Sequence, residues 1–246
     1  MRRAWTALAV TAAAAVPFGC GGDDGGDAAA GGSAPAGTYD GCVVADVSGS
    51  TKRARDGYLR AVEAFALDLG QDTDGRMCVI LAAGDPLASQ VLETNVGPDP
   101  ADRGDEAFEP ASIRKNVNQA VADIAALLDN PPDQGGGSAL IAAMVAASRA
   151  VREGGNVLAI TDGIEDSDVA DFHDVDLSPA GRRAFVKELR RRDLLAPLGG
   201  VTVTLPYLNF LARKSHLSPE QQVNIEAFWR EYLEAAGATP DIARSG

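Results

Sequence analysis

The sequence predicts an α/β protein with a doubly wound, mostly parallel sheet, helices on both faces and one antiparallel edge strand. Three observations predict this class. Short apolar runs with β-branched residues alternate with stretches in which apolar residues recur at helical spacing, as in parallel sheets covered by crossover helices. Residues 139–151 are apolar nearly all round, which indicates a helix buried against the sheet. Gly84-Asp85-Pro86 is a turn from which residues 88–96 can return as the antiparallel edge strand.

The elements of the N-terminal half follow in order. Cys42 to Ala45 is a short apolar run followed by turn formers, which is typical of an interior strand. A helix then ends at Gly70, residues 77–83 form the second strand, and a second helix ends at Asn130-Pro131-Pro132. The helical apolar positions are Leu59, Val62, Phe65, Ala66 and Leu69 in the first helix, and Ile113, Val117, Ala120, Val121, Ile124 and Leu128 in the second.

In the C-terminal half, residues 156–161 and 201–205 predict two further strands, and the second of these is the last clear one. Ser178-Pro179 is a helix start, and Ser218 begins a capping box before an amphipathic helix with an aromatic core-facing stripe. The acidic loop 163–178 is expected to be solvated. An auxiliary Ca²⁺ site is the alternative, although the loop lacks EF-hand spacing.

The end of the first strand carries one carboxylate and two hydroxyls within five residues, on Asp46, Ser48 and Ser50. In open α/β sheets the ligand crevice lies at the carboxyl ends of such strands. Hard oxygen groups from alternate positions suit Mg²⁺ or Mn²⁺ and suit neither zinc nor copper. The competing interpretation is an Asx or Ser turn that only caps the next helix.

Two distant segments add to this turn. Gln134 to Leu140 is a Gly-rich turn that presents Ser138 at a helix start, and Val157 to Gly163 is a buried strand that ends in Asp162. Together the three segments resemble the metal-ion-dependent adhesion site (MIDAS) of the von Willebrand factor type A (VWA) family, whose sheet is Rossmann-like. The resemblance covers roughly residues 40 to 236. Asp46, Ser48, Ser50 and Asp162 match the family motif, and Ser138 stands where the family usually has threonine.

The resemblance implies a binding module and not an enzyme. Asp46, Ser48, Ser50, Ser138 and Asp162 would hold Mg²⁺ or Mn²⁺, and the bound ion would capture an acidic group of a protein partner. Two carboxylates roughly cancel the charge of a divalent ion, so the ion keeps its attraction for a further carboxylate.

Two other functions compete with this one. A metal-independent structural component of a cell-envelope complex would keep the fold without cation-dependent binding. Mg-dependent phosphoryl transfer with Asp46 as nucleophile is less favoured, because a dehalogenase-type pattern needs a second aspartate where Ser48 stands. Serine hydrolysis is not supported, because neither Ser48 nor Ser138 lies in a Gly-x-Ser-x-Gly motif.

The N-terminal segment predicts export and lipidation. Met1-Arg2-Arg3 is basic, and Ala4 to Val16 is apolar but too short to span a bilayer, which is typical of a signal peptide. Residues 17–20 resemble a bacterial lipoprotein processing site, so we expect cleavage after Gly19 and lipid on Cys20. Ordinary cleavage near the alanine run is the alternative.

This interpretation divides the chain into a signal peptide (1–19), a lipidated cysteine with a flexible Gly/Asp/Ala linker (20–39) and a VWA-like domain (40–246). We expect the domain at the outer face of the bacterial cytoplasmic membrane, attached to it only by lipid. A secreted protein is the alternative. Cys42 and Cys78 lie in strands that should be neighbours. The sequence leaves two alternatives for them, a disulfide or two buried free thiols.

The chain is strongly acidic, with 35 acidic and 22 basic residues and a net charge of −13. Loss of Arg2 and Arg3 with a signal peptide would change the net charge from −13 to −15. Nucleic acid is therefore a poor partner for the surface as a whole, and anionic lipid is repelled by it.

Overall fold

The computed structural model describes residues 37–48, 54–83, 91–131, 137–208 and 217–242. The strands are β1 (Tyr39–Asp46), β2 (Arg76–Ala82), β3 (Val91–Asn95), β4 (Val151–Ile160), β5 (Thr202–Leu205) and β6 (Thr239–Ile242). The helices are α1 (Arg55–Asp72), α2 (Glu109–Asp129), α3 (Leu140–Ala150), α4 (Pro179–Arg191) and α5 (Pro219–Ala235).

The strands form one sheet in the order β3-β2-β1-β4-β5-β6. Strand β1 is central and pairs in parallel with β2 and β4, while β5 and β6 extend the parallel part. Strand β3 pairs with β2 in the antiparallel direction and forms the edge. The predicted α/β class with one antiparallel edge strand is confirmed.

Alternate residues of β1 face two separate cores, because successive side chains of a strand point to opposite faces of the sheet. Cys42 and Val44 pack in the core that α3, α4 and α5 cover, whereas Val43 and Ala45 pack in the core that α1 and α2 cover. All four side chains are fully buried. Helices on both faces therefore explain why this run has no polar residue.

Helices α3 and α5 form as their sequences predict. Seven residues of α3 are buried, as its nearly uniform apolar composition requires. Helix α5 begins with the predicted capping box between Ser218 and Gln221, and its aromatic stripe packs into the core. The aromatic cluster consists of Phe172, Phe185, Phe228, Trp229 and Tyr232.

The structure departs from the sequence prediction at three main places, besides small shifts at element ends such as that of α1, which ends at Asp72 instead of Gly70. A sixth strand, β6, follows the strand that was expected to be the last and pairs with β5. Strand β4 begins at Val151 instead of residue 156, and its pairing with β1 shifts register between Tyr39 and Gly41. The acidic loop 163–178 is not wholly solvated, because it contributes three buried side chains, those of Glu165, Phe172 and Leu177.

Cys42 and Cys78 occupy opposite positions in the paired strands β1 and β2. Their Cα atoms are 4.5 Å apart, and the structure joins them by a disulfide. Both residues are fully buried.

The predicted signal peptide, the lipid acceptor Cys20 and most of the linker lie outside the described residues. The described elements all belong to one compact unit, residues 31–246. None of the helices in the described ranges combines the length and apolarity that crossing a bilayer requires.

Candidate functional site

Asp46 and Asp162 meet at one edge of the sheet. Asp46 ends β1, and Asp162 comes two residues after the end of β4, its parallel neighbour, in which Ile160 pairs with Ala45. Because parallel strands bring their carboxyl ends to the same edge, the two carboxylates become neighbours. They are 0% and 1% exposed, so a pair of acidic groups is buried where the sequence predicts a site.

The Asp46 carboxylate joins three segments of the chain. Its Oδ1 accepts hydrogen bonds from the Ser48 backbone NH at 2.9 Å and from the Ser138 hydroxyl at 3.0 Å. Its Oδ2 accepts a hydrogen bond from the Thr161 hydroxyl at 2.9 Å. The turn after β1, the start of α3 and the end of β4 are therefore held together at one buried carboxylate.

The turn after β4 is fixed by its own backbone and by α5. The Asp162 Oδ1 accepts from the Ile164 NH at 3.0 Å, and the indole NH of Trp229 donates to the Gly163 carbonyl at 2.8 Å. Gly163 has a φ of 79°, and a Cβ there would lie 2.2 Å from the Leu208 Cδ1. This turn therefore requires glycine, both for its backbone conformation and for space.

Ser138 is positioned by the acidic loop. Its NH donates to the Asp166 carbonyl at 2.8 Å, and its own carbonyl accepts from the Asp166 NH at 3.0 Å. Gly137 has a φ of 104°, and a Cβ there would lie 2.2 Å from the same Asp166 carbonyl. The hydroxyl that contacts Asp46 is thus held by a short backbone pairing.

Glu165 is the buried acid of this loop, and no sequence pattern predicted its burial. It is 0% exposed, its Oε2 accepts from the Ile141 NH at 2.9 Å, and it accepts a short hydrogen bond from the Ser167 hydroxyl. Burial raises its pKa to about 7, with a smaller contribution from the Asp46 charge. Glu165 therefore binds the first turn of α3, directly after Ser138.

The two site carboxylates repel each other in a dry environment. Burial, and then the charge of Asp162, raise the pKa of Asp46 to about 6, although the hydrogen bonds from Ser48 and Thr161 oppose this. The same two charges act on the buried phenol of Tyr58. Burial, and then the charges of Asp46 and Asp162, raise the pKa of this phenol. A divalent cation beside the pair would relieve this repulsion.

Of the five predicted ligands, the structure brings Asp46, Ser138 and Asp162 together. Ser48 contacts Asp46 through its backbone NH, and Ser50 lies outside the described residues. The carboxylate and hydroxyl oxygens of the five predicted ligands are the kind of ligand atom that Mg²⁺ and Mn²⁺ prefer, so these residues fit the predicted ion chemically. Within the described ranges, no group of three or more His, Cys, Asp or Glu side chains is placed to hold a metal ion.

Three residues that support the site were not predicted as parts of it: Thr161, Glu165 and Trp229. Thr161 directly precedes Asp162 at the end of the apolar run, so its closeness to the site could have been inferred from the sequence. The contacts of Glu165 and Trp229 join residues 24 and 66 positions apart, and no local pattern indicates them.

No protein-family model matches this chain, and no curated protein matches it. Among solved structures, a protein described as von Willebrand factor type A from Catenulispora acidiphila aligns with 85% of this chain and 39% of its own, at 17% identity and a TM-score of 0.38. The pilus adhesin SpaC from Lactobacillus rhamnosus GG aligns over 85% and 28%, at 14% identity and a TM-score of 0.45. The human COPII-coat protein Sec24c aligns over 86% and 30%, at 14% identity and a TM-score of 0.33.

This chain thus spans at most 39% of each of these three structures. Its α/β fold rests on the strand order and on the helices of both faces described above.

Proposed function

We propose that this protein is an exported binding module that holds Mg²⁺ or Mn²⁺ in a MIDAS-type site and captures an acidic group of a protein partner. The observation that carries the proposal is the buried hydrogen bond between the Ser138 hydroxyl and Asp46, 92 positions apart in the chain. It joins two of the three motif segments, and Asp162 of the third lies on the neighbouring strand end.

Asp46, Ser48, Ser50, Ser138 and Asp162 would hold the ion, which supplies an electrophilic centre for a carboxylate of the partner. The chain's own contribution is to place the oxygens and to exclude water. Thr161 orients Asp46 through its hydroxyl, while the Asp166 backbone orients Ser138. Burial of both carboxylates strengthens their attraction for a cation, because the surrounding medium screens charge weakly.

Calorimetric titration of the chain with Mg²⁺ and Mn²⁺ tests the site. We expect saturable binding that is lost in Asp46→Ala and in Asp162→Ala. Asp168→Ala is the matched control, because Asp168 is an exposed aspartate in the loop after Asp162. Absence of binding in the parent, or equal loss in the control, would contradict a cation site at these residues.

One observation favours a second candidate, a metal-independent structural component of an envelope complex. Three hydrogen bonds already satisfy the Asp46 oxygens without a cation. Partner capture distinguishes the two functions: capture that needs Mg²⁺ and fails in EDTA supports the cation-dependent module. Capture that is equal in both buffers supports the structural component.

The membrane part of the proposal concerns Cys20, which would carry lipid after cleavage behind Gly19. The domain would then lie at the outer face of the cytoplasmic membrane. Mass spectrometry of the membrane fraction tests this directly, with a lipid-modified N-terminal Cys20 as the expected result. An unlipidated mature N-terminus at another residue would contradict it.

A further inference from the structure

Four cationic side chains lie along one side of α4. Arg183, Lys187 and Arg190 follow one another at helical spacing, Arg191 comes directly after them, and all four are exposed. Val186 and Leu189 are buried on another side of the helix. We call these four residues the cationic face. Its one acidic neighbour on α4 is Glu188, which pairs with Arg191 at 2.6 Å.

This face contrasts with the chain as a whole, whose net charge is −13 with these four cations included. The helix dipole favours cations in the last turn and so accounts for Arg190 and Arg191. Arg183 and Lys187 lie before that turn, and the dipole does not explain them. Four exposed cations on one helix of an acidic protein therefore indicate a surface suited to an anionic partner.

The end of α4 lies at the edge of the sheet where β1 and β4 begin. The backbone of Gly37 and Thr38 donates to the carbonyls of Arg149 and Ala150 at 3.0 and 2.9 Å, beside the start of β4. Because α4 connects two parallel strands, β4 and β5, it must return the chain to this same edge. Gly37, Thr38 and the last turn of α4 thus lie at one edge of the sheet, and Asp46 and Asp162 lie at the opposite one.

We propose that the cationic face docks on the anionic phospholipid surface of the membrane to which lipid on Cys20 attaches the chain. This rests on the membrane part of the proposed function. The acidic remainder of the domain opposes docking, but the cationic face is the part closest to a bilayer that α4 contacts, and physiological salt further screens charges beyond about 8 Å. Each cation near an anionic bilayer strengthens binding about fivefold, so the three cations that are not paired with Glu188 together contribute about a hundredfold, which is sufficient to orient a tethered domain.

The test uses the full exported chain with Cys20→Ser, so that no lipid contributes, and measures its partition onto vesicles in EDTA. The vesicles are phosphatidylcholine alone or with about 30% phosphatidylglycerol, at low and physiological salt. The test variant is Arg183→Gln/Lys187→Gln/Arg190→Gln. The matched control is Arg60→Gln/Arg114→Gln/Lys115→Gln, which removes the same charge from exposed positions of α1 and α2 on the other face of the sheet.

We expect binding only to vesicles with phosphatidylglycerol, weaker at physiological salt, and at least tenfold weaker in the test variant. The control should stay within about twofold of the parent. Equal loss in both variants, binding that ignores lipid charge, or no binding at low salt would overturn the proposal. EDTA keeps the result independent of the cation site, and mass spectrometry of Cys20 tests the anchor separately.

Discussion

Replacing Asp162 by asparagine should stabilise the cation-free protein at neutral pH while it abolishes cation binding. The pKa of Asp46 rises from its ordinary 3.8 to about 6, chiefly through burial and secondly through the charge of Asp162. At about 1.4 kcal/mol per pKa unit, keeping Asp46 ionised in the fold costs about 3 kcal/mol. Since Asp162 is the second cause, removing its charge should recover about 1 kcal/mol.

The sign of the pH dependence follows from the direction of the shift. When folding raises the pKa of a carboxyl, the protein keeps this part of its stability below the pKa of the unfolded state and loses it as the pH rises through the pKa of the folded state. For Asp46 this window runs from about pH 4 to about pH 6. The gain from Asp162→Asn should therefore be present at pH 7.5 and absent at pH 4. Asparagine keeps the acceptor oxygen that the Ile164 NH needs.

Urea denaturation in EDTA at the two pH values measures this effect, with Asp168→Asn as the control that removes an exposed charge of the same loop. Excess Mg²⁺ should then stabilise the parent, by about 2.7 kcal/mol at one hundred times its Kd, and leave Asp162→Asn unchanged. A variant that is destabilised at pH 7.5, or stabilised equally at both pH values, would refute the reasoning.

Three further changes probe the supports of the site. Because folding raises the pKa of Glu165 to about 7, the parent should lose up to about 3 kcal/mol of stability between pH 4.5 and 7, and Glu165→Gln should remove this loss. Denaturation at several pH values in that range measures the change. An unchanged slope of stability against pH in the variant contradicts the prediction. Thr161→Val should cost about 2 kcal/mol by thermal unfolding, since Asp46 loses a donor and the Gly163 NH an acceptor. Thr161→Ser should restore most of that loss. Replacing Cys42 and Cys78 by alanine should cost about 2 to 4 kcal/mol in a denaturant titration, and a double variant as stable as the parent would argue against the disulfide.

Local patterns predicted the elements because burial repeats with the period of each element. The alternation of apolar strands and amphipathic helices indicated the α/β class. The turn predicted at Gly84-Asp85-Pro86 lies outside the described residues, but the antiparallel strand that it predicted pairs with β2. Strand β6 escaped prediction because Pro240 and Asp241 are poor strand formers. It forms at the edge of the sheet because β5 offers a free parallel edge for it.

The burial of Glu165 is a feature that the composition of its loop does not predict. Its neighbours Asp166 and Asp168 are exposed, as an acidic loop predicts, yet its own side chain is enclosed against the start of α3. The free NH groups of a helix start stabilise such a carboxylate. Which acid of the loop reaches that helix depends on how the chain folds back, and no local period encodes it.

The sequence by itself determined the α/β class, the placing of Asp46 and Asp162 at strand ends and that of Ser138 just before a helix, because these follow from periodicity and from the polarity of parallel strands. Only the tertiary structure decided that the Ser138 and Thr161 hydroxyls both reach Asp46. It also decided that Trp229 holds the Gly163 turn. These contacts join residues far apart in the chain, and their partners are selected by packing and burial instead of by local pattern.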